Sequence, residues 1–158
     1  MIRQATHADK GGVIKLGWEM WAESPVYDKY QWSWPKVSNM FDRYCQQPEK
    51  LMLVYEKDVL ARDSSTSKLI VGMLLANTHG HFFSDIKMAT QQLFYIHPLH
   101  RGGSAALRLM KKFESFARYN ECQLLDFSQS VQGADDRWDK FCENLGYTHV
   151  GKTYFKDL

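Results

Sequence analysis

The sequence carries almost no net charge: 20 Lys and Arg stand against 18 Asp and Glu, a formal +2 at pH 7. That balance is too small for non-specific nucleic-acid binding to be the main activity. Cysteine is scarce, with three residues (Cys45, Cys122 and Cys142), no CxxC pair and no zinc spacing. An odd count so placed points to a reducing compartment, with the thiols acting as small buried hydrophobes. No run of about 18 apolar residues occurs, so no membrane-spanning helix is expected. The opening MIRQATHADKGG lacks the apolar core of a signal peptide. Repeats and low-complexity segments are missing as well, and the only linker-like tract is Asp63–Ser67. These absences predict a soluble cytoplasmic protein.

What is present is ordinary in amount and uneven in placement. The 158 residues are 44% apolar and 24% charged, which excludes disorder and collagen-like structure. A chain of this length buries roughly 70% of its unfolded surface and needs no disulfide or metal to fold. Residues 1–158 therefore read as one domain. Aromatics reach 14%, and four of the five tryptophans, Trp18, Trp21, Trp32 and Trp34, fall within one short stretch.

Ile2–Ala5 reads as a short first strand. Thr6 or Asp9 then caps a helix whose apolar positions Val13, Leu16, Trp18, Met20 and Trp21 are loosely periodic, with both tryptophans expected in the core. Pro25 and Pro35 bracket a loop, after which Val37, Met40, Phe41 and Tyr44 recur at helical spacing. Leu51–Glu56 and Lys68–Asn77 are strands joined by the Ser/Thr tract as a hairpin loop. Gly72, inside the second, predicts a bulge or a close backbone approach. Lys87–His97 is a third strand, stopped by Pro98. Gly102, Gly103 and Ser104 then open a helix with the stripe Ala106, Leu109, Met110, Phe113, Phe116 and Ala117. Gln123–Ser128 is a fourth strand. Asp135 and Asp136 begin a last helix that buries Trp138, Phe141, Cys142 and Leu145 and ends at Gly146. Tyr147–Phe155 closes the chain as a strand. Helices, a meander of strands, then one crossover unit make a mixed α/β layered protein.

The most informative stretch is LFYIHPLHRGGSAALRLM, Leu93–Met110. A strand runs into a proline, a glycine turn and an amphipathic helix, so unpaired N–H groups gather at a helix N-terminus and make an anion site. Gly102 and Gly103 let backbone approach a ligand, Ala105 and Ala106 leave room, and Arg101 adds a positive charge. The outer side of the helix is basic, with Arg108, Lys111, Lys112 and Arg118. This is the chemistry of a pyrophosphate cradle running from Arg101 through Ser104 to Ala106. Neither a Walker loop nor the dinucleotide fingerprint GxGxxG is present. His79, His81, His97 and His100 invite a metal reading, but no carboxylate or cysteine completes a closed site, and no metal is expected.

The run IHPLHRGGSAAL resembles the coenzyme A signature of the GNAT superfamily, V-x-P-x-x-[QR]-x-x-G-x-[GA], with Ile96, Pro98, Arg101 and Ala106 matching and Ser104 in place of a glycine. Further on, FCENLGY (Phe141–Tyr147) resembles that superfamily's closing motif [FL]-Y-E-K-L-G-F. ESPVY (Glu23–Tyr27) and HFF (His81–Phe83) are similar to small members from bacteriophages and bacteria, so the cytoplasm would be the host's if a phage encodes the chain. The resemblance implies a mixed, mostly antiparallel twisted sheet flanked by helices, whose central strands splay into a V that holds acetyl-CoA. It implies that the backbone of Phe94, Tyr95 and Ile96 pairs with the pantetheine arm. The activity implied is direct transfer of an acetyl group from acetyl-CoA to a primary amine, by positioning, an N–H for the thioester oxygen, a base and an acid.

Two positions depart from that pattern. The tyrosine that serves as general acid is Cys142 here, with Tyr147 and Tyr154 as nearby substitutes. On the strand before the turn, where a glutamate base is frequent, Gln91 and Gln92 cannot titrate. The base is left to a water relay, Glu23, Asp126 or a histidine, with Glu23 placed first because it lies in the aromatic loop facing the acceptor. In this fold Trp18–Trp34 covers the variable acceptor wall, so Tyr27, Trp32 and Trp34 are the candidate substrate contacts for a cationic amine. The expected partners are acetyl-CoA and an amine acceptor, small molecule or protein, with no nucleic acid and no membrane, and a homodimer left open. The missing glutamate and tyrosine motivate an alternative: a coenzyme A-binding module that has lost transfer and works through protein–protein contacts.

Overall fold

A computed structural model describes residues 1–60, 66–128, 136–151 and 156–157, with the backbone alone at 60, 66, 136 and 137. Its elements are β1 (Ile2–Gln4), α1 (Lys10–Glu23), α2 (Trp34–Gln46), β2 (Lys50–Leu60), β3 (Thr66–Gly80), β4 (Lys87–Ile96), α3 (Ala105–Tyr119), β5 (Leu124–Asp126) and α4 (Asp136–Asn144). The strands form one sheet in chain order, antiparallel except for the last pair, β4 with β5.

Both faces of the sheet are covered, which explains the near-continuous apolar runs of β2 and β3. Leu51, Leu53, Leu74, Ala76 and Ala89 face α3, where Ala105, Leu109, Phe113 and Ala117 meet them. The alternate residues Met52, Val54, Met73 and Leu75 face α1 and α2, packing on Val13, Leu16, Met20, Phe41 and Tyr44. The expected stripe of α3 is therefore the buried one, and Arg108, Lys111, Lys112 and Arg118 lie exposed on its other side.

The strand ladders slip twice. Tyr55 pairs with Gly72 and Glu56 with Ile70, leaving Val71 as an extra residue beside the glycine. A Cβ on Gly72 would stand 3.3 Å from the Tyr95 carbonyl, the Tyr55 Cβ and the Ile96 side chain, so the expected bulge and the close approach both occur. In β4, Leu93 pairs with Leu75 but Gln91 with Ala76, so Gln92 is extra. This second bulge matters because it reverses which face later β4 residues present.

Three expectations are corrected. Trp18 is 45% exposed and Trp21 half-buried, because the buried face of α1 is Val13, Ile14, Leu16 and Met20. Pro35 does not bracket a loop but sits in the first turn of α2, where its missing N–H costs nothing. Residues 147–151 have no regular structure, and 152–155 of the predicted last strand lie outside the described residues, as does most of the Asp63–Ser67 loop. The Gly146 stop is as expected. Its φ is +84°, the Tyr147 N–H donates to the Cys142 carbonyl at 3.0 Å, and the Gly146 N–H donates to that of Glu143 at 2.9 Å.

Arg3 ties β1 to the turn before α1 and to β2. It donates to both oxygens of Asp9 at 2.7 and 2.8 Å and to Glu56 Oε2 at 2.8 Å, and Asp9 also accepts from the Thr6 N–H at 2.7 Å. The Arg3 guanidinium, against the cost of burial, holds the Asp9 carboxyl down at about 2 from an ordinary 3.8. Such a depressed carboxyl contributes stability that is complete above its unfolded value and lost as pH falls through the folded one. The unfolding free energy should fall by about 2 kcal/mol between about pH 4 and pH 2 on this account. Urea unfolding across that range checks it, and an Asp9→Asn variant with the same pH slope as the wild type would refute it.

Candidate active site

β4 and β5 pair only over Met88–Thr90 with Leu124–Asp126. Beyond that point β4 continues through Ile96 without a partner on this edge among the described residues, and the strands part. The buried Gln91 side chain stands at the fork, its Oε1 accepting the Ser128 N–H at 3.0 Å where the ladder would otherwise have continued. In the sequence Gln91 stands out only as an amide that cannot titrate; in the structure its side chain ties β4 to Ser128 at the point where the ladder ends. Nothing local to the residue signals this, because the partner lies 37 residues away.

One wall of the opening is aromatic. Phe94 on β4 meets Phe127 edge-on with centroids 5.5 Å apart, and Trp138 of α4 closes on both at 5.8 and 5.7 Å. Just past the end of β4 the His97 N–H donates to the Val71 carbonyl, toward β3. Strand alternation therefore turns the backbone of Phe94 and Ile96 toward the opening, and the Ile96 carbonyl there accepts from Arg101 Nε at 2.8 Å. Tyr95 separates from its neighbours. Its side chain is 2% exposed and packs on the α1 side of the sheet.

After β4, Pro98–His100 form a single 3₁₀ turn and the chain enters α3 through Arg101–Ser104. Gly102 has φ +84°, which a residue with a Cβ adopts only under strain. A Cβ on Gly102 or Gly103 would meet nothing within 4 Å, so the space above both glycines is open. The N–H groups from Gly102 to Ala106 find no acceptor among the described residues. Open space, unpaired donors and the positive end of α3 fit a bound diphosphate, with Arg101, Gly102, Gly103, Ser104, Ala105 and Ala106 around it.

Glu23 is the last residue of α1 rather than part of the aromatic loop. Its carboxylate accepts the Tyr95 hydroxyl at 2.6 Å and Arg101 Nη2 at 2.9 and 3.0 Å. The Arg101 guanidinium lies 5.5 Å from the centre of the Tyr95 ring. Burial pushes the Glu23 carboxyl up, but the Tyr95 hydroxyl and Arg101 outweigh it and hold the group below the ordinary carboxylate range. The structure thus joins one candidate base to two candidate cofactor residues, a link the sequence left unseen.

The remaining candidates do not converge in the same way. Tyr27 is half-buried against the α1 side of the core, its N–H turned in by the buried Ser24 Oγ at 3.3 Å. The four clustered tryptophans form a chain of contacts, Trp18 to Trp21, Trp21 to Trp32 and Trp32 to Trp34, at 6.5, 6.0 and 5.8 Å. Trp32 is half-buried, with an indole N–H that has no acceptor among the described residues. Trp34, 58% exposed, lines a shallow depression of about 360 Å³ with Gly11, Ile14, Lys15 and Trp18 that shares no residue with the cradle. Cys142 is half-buried on α4, and burial pushes its thiol up, so it is protonated at neutral pH. The Tyr147 hydroxyl is turned toward Glu114 on α3 at 3.4 Å, and Tyr154 lies outside the described residues.

No model of a known protein family matches the chain, and no curated protein matches it in sequence. Solved structures do. AAC(6')-Iy in complex with the bisubstrate analogue CoA-S-monomethyl-acetylneamine covers 100% of this chain and 97% of its own, with a TM-score of 0.72 at 12% identity. A Trypanosoma brucei acetyltransferase covers 100% and 99%, with a TM-score of 0.70 at 15% identity. The chain shares the fold of these acetyltransferases. A transcriptional regulator from Bacillus halodurans C-125 matches as well, over 100% and 99%, with a TM-score of 0.73 at 19% identity. At such identities the likeness is one of architecture, and a GNAT fold by itself assigns no substrate. Among the described residues no helix is long and apolar enough to cross a membrane.

Proposed function

We propose that the protein is an acetyl-CoA-dependent N-acetyltransferase acting on a primary amine. The observation that carries this reading is the fork of β4 and β5 opening in front of an empty-faced glycine turn with unpaired N–H groups. Acetyl-CoA would supply an acetyl thioester, whose C–S bond breaks as the C–N bond forms. The chain's residues do the rest. The N–H groups of Gly102–Ala106 and the α3 dipole hold the diphosphate, and the backbone of Phe94 and Ile96 on the open edge of β4 aligns the arm. Glu23 takes the proton of the acceptor ammonium. Cys142, protonated at neutral pH, or Tyr154 gives a proton to the departing thiolate.

Acetyl-CoA at a hundred times its Kd should stabilise the native state by about 2.7 kcal/mol, or roughly 5–10 °C for a chain of this size. No shift at millimolar ligand would end the proposal. Transfer is then read by mass spectrometry as new acetyl groups on an amine panel and on host lysate. Binding without transfer to any acceptor would favour the second reading, a coenzyme A-binding module, for which Gln91 and Gln92 are the supporting observation because neither can move a proton. Cys142→Ala should lower kcat about tenfold or more, with coenzyme affinity unchanged. An unchanged kcat with reduced stability would make Cys142 a packing residue and pass the acid role to a tyrosine.

A further inference from the structure

Arg101 is where the cofactor turn and the acceptor side meet. Its Nε is committed to the Ile96 carbonyl, its Nη2 to both oxygens of Glu23, and its plane lies near the Tyr95 ring. The charge nearest the anion cradle is therefore turned back toward a carboxylate 78 positions earlier in the chain. The side chains of both partners are accessible, Arg101 at 42% and Glu23 at 30%, so the pair can be parted without opening the core. Glu23 also ends α1, where the helix dipole disfavours a negative charge, so in the free protein Arg101 offsets an unfavourable placement.

A dianionic diphosphate entering the turn changes the balance around this pair. It attracts the guanidinium more strongly than one carboxylate does, and it repels the Glu23 carboxylate. We propose that Arg101 is a latch: it holds Glu23 while the turn is empty, and it changes partner to the diphosphate when coenzyme A binds, releasing Glu23 toward the acceptor ammonium. This inference rests on the transferase reading above. Tyr95 keeps its hydrogen bond to Oε2 throughout, so the freed carboxylate stays in place on the acceptor side with Oε1 turned loose. A carboxylate paired with arginine is a poor proton acceptor, and one released into a partly desolvated site is a better one. The acceptor ammonium then loses its proton to Glu23 Oε1, leaving a neutral amine and a neutral carboxyl. Coenzyme A binds first and the acceptor second.

Titration calorimetry with coenzyme A tests the latch through its sign. Glu23→Gln removes the competitor for Arg101 and should tighten coenzyme A binding by about three- to fivefold, the worth of a partly exposed ion pair. A merely structural role for Glu23 would weaken binding or leave it unchanged. Glu23→Asp, with a carboxylate one methylene short, should tighten it to a smaller extent and stands in if the amide variant does not fold. In an Arg101→Ala background the Glu23→Gln change should tighten binding less than it does with Arg101 present, since only direct repulsion is then relieved, and an equal tightening in both backgrounds overturns the latch. Equal or weaker affinity in both Glu23 variants overturns the latch and leaves the transferase reading standing. Absence of coenzyme A binding in the wild type overturns that reading, and the latch falls with it.

Discussion

A Gly103→Glu variant is expected to lose coenzyme A binding while keeping its fold. The position is open, with nothing within 4 Å of an added Cβ, so a side chain enters without displacing core atoms. A carboxylate just ahead of α3 also lies at the positive end of the helix dipole, which favours the folded state by about 0.3–1 kcal/mol. The same carboxylate takes the anion's place among the N–H groups and repels the diphosphate by roughly 4 kcal/mol at contact distance near a protein surface. Affinity should therefore drop by roughly a hundredfold or more, with an unfolding midpoint no lower than that of the wild type. Unchanged affinity would refute the cradle. Lost affinity accompanied by unfolding would be uninformative at this position, so Ser104→Glu, at the exposed N-cap of α3 with no side-chain hydrogen bond to lose, provides the independent check.

The largest effect on stability is expected from Phe113→Ala. Phe113 is fully buried on α3 in the cluster formed by Ile2, Leu53, Leu74, Ala89 and Leu109. Truncation removes the ring's burial and leaves a cavity that a sheet and a helix cannot close, a cost of about 3–5 kcal/mol. Against a total stability of about 5–15 kcal/mol, that is a large share. The site should feel it as well, because the stripe Leu109, Phe113 and Ala117 is what fastens α3, and thereby its N-terminal turn, onto the sheet. Urea unfolding reads the loss, with Lys112→Ala on the exposed side as a control expected within about 0.5 kcal/mol of wild type. A loss for Phe113→Ala below that of the control would mean that α3 is not anchored by this stripe.

Much of the architecture was readable because its signals are local. The glycine turn, the helix stripe of α3, the bulge at Gly72 and the stop at Gly146 each follow from residues a few positions apart. The tryptophans of α1 depart from expectation for the same reason in reverse. Near one another in sequence, they suggest a common core, but the helix places Val13, Leu16 and Met20 inward and leaves Trp18 45% exposed. The stretch that looked like one acceptor pocket is instead a string of indoles, with Trp34 on an outer depression and Tyr27 against the core.

By itself the sequence determined the order of elements through α4, the nearly neutral net charge and the glycine turn ahead of α3, because periodicity, charge and turn chemistry act over a few residues. Tertiary structure decided the direction of β4. One extra residue, Gln92, moves the strand across its own pleat, so that Ala89 and Phe94 face α3 while Tyr95 faces α1. A one-residue change of register exchanges the faces of everything that follows. No local pattern specifies it; the partner strand does. That shift brings the Tyr95 hydroxyl to Glu23, 72 positions away, and sets the pair beside Arg101.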